Sequence, residues 1–166
     1  MAHVKRLRKE HANLLAIAGR LSAEIARDAP PPPTMLYALR RELASALMEH
    51  LQSEDWVLYP RLLVSHDKRV AETARTFCDE MGGLAKAFRE YAEQWGTHAI
   101  AGDWNRYRLE TANILKALTD RIKRENRNLY PLFESLEKAE RPRSADGRPS
   151  APDPLPASAR PPHYHL

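Results

Sequence analysis

Two stretches of this chain carry side chains that could do chemistry, and one is an altered copy of the other. His50-Leu-Gln-Ser-Glu54-Asp-Trp-Val-Leu58-Tyr59-Pro60 is matched by Arg121-Ile-Lys-Arg-Glu125-Asn-Arg-Asn-Leu129-Tyr130-Pro131. In both, an acid precedes Leu by four residues, Tyr by five and Pro by six. The residue four before the acid is His in one copy and Arg in the other. Positions four apart on an α-helix lie on one face, so each copy aims a polar pair in a single direction. Imidazole suits iron, zinc, copper and nickel, and carboxylate suits iron, manganese and magnesium. A divalent cation held between such groups would offset the cost of burying them.

The elements that must position these pairs are long amphipathic helices. From Val4, apolar residues recur three and four apart through Leu7, Leu14, Ala18, Leu21 and Ile25, with His11 the polar exception on that stripe. Pro30 to Pro33 read as a stiff extended connector, and Thr34 as the N-cap of a second helix. Its stripe runs Leu36, Leu39, Leu43, Leu47, then His50, Glu54, Val57 and Leu58, with Pro60 expected to kink or close it. After Ser65-His66-Asp67, a third helix carries Val70, Ala74, Phe77, Met81, Leu84, Phe88, Tyr91 and Trp95. Gly82 and Gly83 inside it cost about 1 kcal/mol each relative to Ala, and a close neighbouring helix would be one reason for them. Gly96 to Gly102 reads as a loop and Asp103 as a cap. The fourth helix aligns Tyr107, Ile114, Leu118, Arg121, Glu125, Leu129, Leu132 and Leu136.

The expected fold is all-α, an antiparallel up-down-up-down four-helix bundle over residues 1–139. Residues 140–166 are rich in Pro, Ser and Arg and read as a disordered tail, its terminal His163 and His165 fit only for adventitious metal. The repeat extends further back: Glu10-His11-Ala-Asn-Leu14 parallels Glu80-Met81-Gly-Gly-Leu84. Two helical hairpins thus offer matching inward positions: His11, His50 and Glu54 in the first, Met81, Arg121 and Glu125 in the second.

On these residues the sequence resembles the hemerythrin-like, or HHE cation-binding, domain family. The likeness rests on His11, on His50-x-x-x-Glu54 with Leu58-Tyr59-Pro60, and on Glu125 with Leu129-Tyr130-Pro131, and spans roughly residues 1 to 138. It implies a four-helix bundle around non-haem iron, with His and carboxylate ligands, in a protein that senses oxygen, redox state or iron, or that handles iron or nitric oxide. Met81 and Arg121 stand where the family has two further His ligands. The expected metal ligands are therefore His11, His50, Glu54 and Glu125, holding one iron ion rather than two, with zinc or manganese as alternatives. Arg121 is expected to hydrogen-bond Glu54 or Glu125.

The expected role is sensory or iron-handling rather than enzymatic. The alternative is a metal-free bundle in which Arg121 bridges both glutamates and the protein serves as an interaction module for a protein partner. Met81 reads as core filler, Cys78 as buried and inert, Glu80 as a solvated helix residue, and Tyr59 and Tyr130 as helix-end aromatics. A net charge of +4 with no nucleic-acid recognition motif argues against DNA or RNA as partners. No apolar run approaches membrane length, and the lone cysteine fits a reducing, cytoplasmic setting.

Overall fold

The computed structural model describes residues 2–140. The segment read as a disordered tail lies, from residue 141 on, outside the described residues. Those residues form helices and no strand. Helix α1 spans Ala2–Ile25 and buries Val4, Leu7, His11, Leu14, Ala18, Leu21 and Ile25, the stripe read from its periodicity, together with Ile17. Helix α2 spans Pro33–Ser53. Its N-cap is Pro32 and not Thr34, and Pro33 is already helical. Proline suits that first position because its φ is pre-set and its missing N–H would have had no intrahelical acceptor.

At Glu54–Leu58 the chain makes one π-helical turn before α3 (Tyr59–Leu63). The second copy repeats this: a π turn at Glu125–Leu129 separates α6 (Trp104–Arg124) from α7 (Tyr130–Glu140). The Tyr59 amide donates to the carbonyl of Glu54, five residues back, and that of Tyr130 to Glu125. Pro60 and Pro131 explain both. A proline has no N–H to donate and its ring excludes the carbonyl four residues earlier. A widened turn relieves that conflict and lets the helix continue. The expected kink at Pro60 is thus a π turn placed just before it.

The second hairpin opens with α4, Lys68–Gln94, its N-terminus capped by the Asp67 side chain, which accepts from the Arg69 amide at 2.9 Å. The stretch read as a loop contains a short helix, α5 (Thr97–Gly102). Asp103 caps α6 as expected, accepting from the Arg106 amide at 3.1 Å. Gly83 has nothing within 4 Å of where a Cβ would sit, so close helix packing does not account for that glycine.

Buried apolar side chains form two clusters. One gathers Leu14 to Ile25 of α1, Leu36 to Leu51 of α2, Met81 to Tyr91 of α4 and Tyr107 to Ile122 of α6. The other gathers Val4 and Leu7, Leu58 to Leu62, Ala74 to Cys78, and Leu129 to Phe133. On each long helix the gap between clusters falls at the repeat motif. His11, His50, Glu54, Arg121 and Glu125, all buried, occupy that gap.

Candidate metal centre

A buried carboxylate or imidazole needs a partner, and a buried charge needs an opposite one. In the polar layer the four expected ligands, His11, His50, Glu54 and Glu125, come together. One ligand-type atom from each lies within 4.8 Å of all the others, and each residue is at most 2% exposed. His11 Nε2 lies 3.0 Å from His50 Nε2 and 3.1 Å from Glu125 Oε2, while His50 Nε2 lies 3.7 Å from Glu54 Oε1.

The outer nitrogens fix how these rings face. His50 Nδ1 is 3.1 Å from the Glu10 carboxylate, and His11 Nδ1 is 3.3 Å from Asn126 Oδ1. Burial pushes the Glu10 carboxyl up, but His50, Arg6 and Ser53 together outweigh it and hold Glu10 below its usual range. Glu10 is therefore an acceptor, and Nδ1 of His50 carries the proton. With Nδ1 of each ring donating outward, the Nε2 lone pairs face one another and the two carboxylates. This is how metal-binding histidines are oriented by outer partners. Ser53 Oγ donates to the other Glu10 oxygen at 3.3 Å.

Counting donors shows what the layer lacks. Tyr130 lies 2.9 Å from Glu54 Oε1, to which its O–H donates, and 3.0 Å from His11 Nε2. One hydroxyl proton serves only one of those acceptors. Glu54 Oε2 is buried with no hydrogen-bond partner among the described residues. Burial and the neighbouring Glu125 charge both push the Glu54 carboxyl well above its usual range. Burial also pushes Glu125 up, but the facing imidazoles and the Arg121 charge outweigh it and hold that carboxyl low. Two imidazole lone pairs and the orphaned oxygen of Glu54 leave the pocket short of hydrogen-bond donors. A cation meets that shortage, and the mixed N and O donor set suits a borderline divalent metal.

Of the two glutamates expected as its partner, Arg121 bonds Glu125. Its Nε donates to Glu125 Oε1, one Nη to Tyr59 at 2.8 Å and the other to Glu80 at 3.4 Å, while its guanidinium lies 4.5 Å from the centre of the Phe77 ring. The guanidinium thus does not bridge the two glutamates, and all three of its nitrogens point to groups other than His11, His50 and Glu54. Glu80 is exposed, as read, and also pairs with Arg124 at 2.6 Å and with Arg121. Met81 packs in an apolar cluster as core. Cys78 is buried, and burial pushes its thiol up to about 12.

Sequence reasoning missed three participants. Tyr59 and Tyr130 are fully buried in the layer rather than helix-end aromatics. The π turns are the reason: a five-residue turn shifts the helical phase and swings the residue five past Glu54 or Glu125 inward. For Glu10, the partner of His50, the one sequence signal was that the repeat keeps an acid at its counterpart, Glu80.

Compared with known proteins, the chain matches the sequence model described as "Hemerythrin HHE cation binding domain" over residues 2–133. Among curated proteins and solved structures, none gives a significant match.

Proposed function

This chain belongs to the hemerythrin HHE cation-binding family, and from that premise we propose that it binds non-haem iron through His11, His50, Glu54 and Glu125. The single observation that carries the reading is the convergence of these four buried side chains, one ligand atom from each within 4.8 Å of the rest. His11 and His50 would supply neutral nitrogen donors, and Glu54 and Glu125 the negative charge. Tyr130 would orient Glu54, and Glu10 would hold His50 in the ligating tautomer. When bound, iron would supply a redox-active centre that can change valence. Zinc and manganese fit the same donor types.

The order in which each long helix meets the two apolar clusters supports an antiparallel four-helix bundle. Helices α1 and α4 pass from the cluster around Leu7 and Phe77 to that around Leu21 and Phe88, and the other two run in reverse. We read the role as sensing or iron handling rather than catalysis. The support is burial: the four ligand residues are 0 to 2% exposed between apolar layers, so a bulky substrate has no direct approach. No described helix is long and apolar enough to cross a membrane. Elemental analysis of untagged protein, purified without oxygen and supplied with Fe(II), tests the proposal. Stoichiometric iron that is lost in His50→Ala is expected, and binding that survives this substitution refutes the site.

A further inference from the structure

We propose that Arg121 is a built-in cation that fills the second half of the polar layer and confines the site to one metal ion. This rests on the metal-binding reading above and specifies its stoichiometry. The two halves of the chain place equivalent residues in equivalent contacts. In the first, Glu10 holds residue 50 from outside and Glu54 stands one turn further on; in the second, Glu80 holds residue 121 and Glu125 stands one turn further on. The tyrosines cross over: Tyr130 of the second half bonds Glu54 of the first, while Tyr59 of the first bonds Arg121 of the second. His11 of the first half has Met81 as its counterpart, and that thioether packs among apolar side chains.

Glu125 joins the halves. Its Oε2 faces His11 Nε2 at 3.1 Å, and its Oε1 accepts from Arg121 Nε. The carboxylate therefore lies between the ligand cluster and the guanidinium, one oxygen toward each. Arg121 is held there on every side, 5% exposed, bonded to Glu125, Glu80 and Tyr59 and resting against Phe77. Glu10 and Glu80 have their own outer partners in Arg6 and Arg124, so the buried layer's balance is set by Glu54, Glu125 and Arg121. With both carboxylates ionised, as a bound metal requires, that balance is one positive charge short. One divalent ion more than supplies it, whereas a second would sit against a fixed guanidinium in a low-dielectric site, which Coulomb repulsion opposes.

The test uses the full untagged chain and Co(II) as probe, with bound metal counted after gel filtration and affinity read by chelator competition. The wild type is expected to hold one ion. A Met81→His, Arg121→His double variant restores imidazoles at both counterpart positions and, if folded by circular dichroism, is expected to hold two. Arg121→Gln removes the charge, together with the guanidinium's contacts to Glu80, Tyr59 and Phe77, and is expected to tighten the first ion at least about tenfold, even as it lowers the melting temperature of metal-free protein. A merely structural Arg121 would lower that temperature and leave affinity unchanged. Two ions in the wild type, one in a folded double variant, or unchanged affinity in Arg121→Gln each overturn the proposal. Zero ions in the wild type would instead sink the metal-binding reading beneath it.

Discussion

Glu10 touches no ligand atom that faces the centre, yet replacing it should weaken metal binding measurably. Its carboxylate accepts from His50 Nδ1 at 3.1 Å and from Ser53 at 3.3 Å, and it lies 3.4 Å from Arg6. In Glu10→Gln the charge is gone and the amide can present its NH2 to His50, which favours the wrong tautomer and turns a donor toward the metal side. Outer partners of ligating histidines are typically worth roughly 10- to 100-fold in affinity, or about 1.4 to 2.7 kcal/mol. Glu10 is 25% exposed, so solvent screens part of its charge and the lower half of that range is expected. Competition of Co(II) between protein and a chelator at pH 7.5 measures the loss directly. Ser53→Ala, which removes only the second contact, should cost less than threefold. The reasoning fails if Glu10→Gln binds Co(II) as tightly as wild type while His50→Ala does not bind it. That pair of results would mean the His50 ring is held by packing alone.

Three further outcomes follow from the same contacts. Saturating metal, at about 100 times its dissociation constant, should stabilise the fold by about 2.7 kcal/mol, seen as a rise in melting temperature that EDTA reverses. This effect should shrink on acidification: the Glu54 carboxyl is raised by burial, so as pH falls through its folded-state value a proton takes the place the cation needs. Burial also raises Asp55 to about 6, so its contribution favours the fold fully only below its unfolded value and is lost as pH rises through about 6. Asp55→Asn in metal-free protein should therefore raise stability at pH 8 by about 1 kcal/mol after allowance for solvent screening, and by almost nothing at pH 4, as urea titrations at the two pH values would show. Finally, Gly83→Ala should gain up to about 1 kcal/mol, because an added methyl meets nothing within 4 Å and an exposed helical glycine is entropically costly; an unchanged or lower urea midpoint would contradict this.

The periodic stripes of α1, α2 and α4 were legible in the sequence because burial on a helix follows a 3.6-residue repeat, and His11, His50 and Glu54 stood out as polar residues on apolar faces. Glu125 stood out in the same way on the stripe of the fourth helix, and the internal repeat paired it with Glu54. Charge and composition determined a well-solvated helical surface. What only the tertiary structure decided begins at the π turns. A straight helix would point Tyr59 and Tyr130 away from Glu54 and Glu125, and it is the proline-driven change of phase that turns both hydroxyls into the layer. The direction of Arg121 was likewise undecided, since its long side chain could have reached Glu54, Glu125 or the histidines from the same Cα. Glu80, Tyr59 and Phe77, brought from two other helices, hold it on the far side of Glu125. Spacing along one helix fixes which face a residue shares. Which neighbour captures a flexible charged side chain depends on groups distant in sequence, and only packing brings those together.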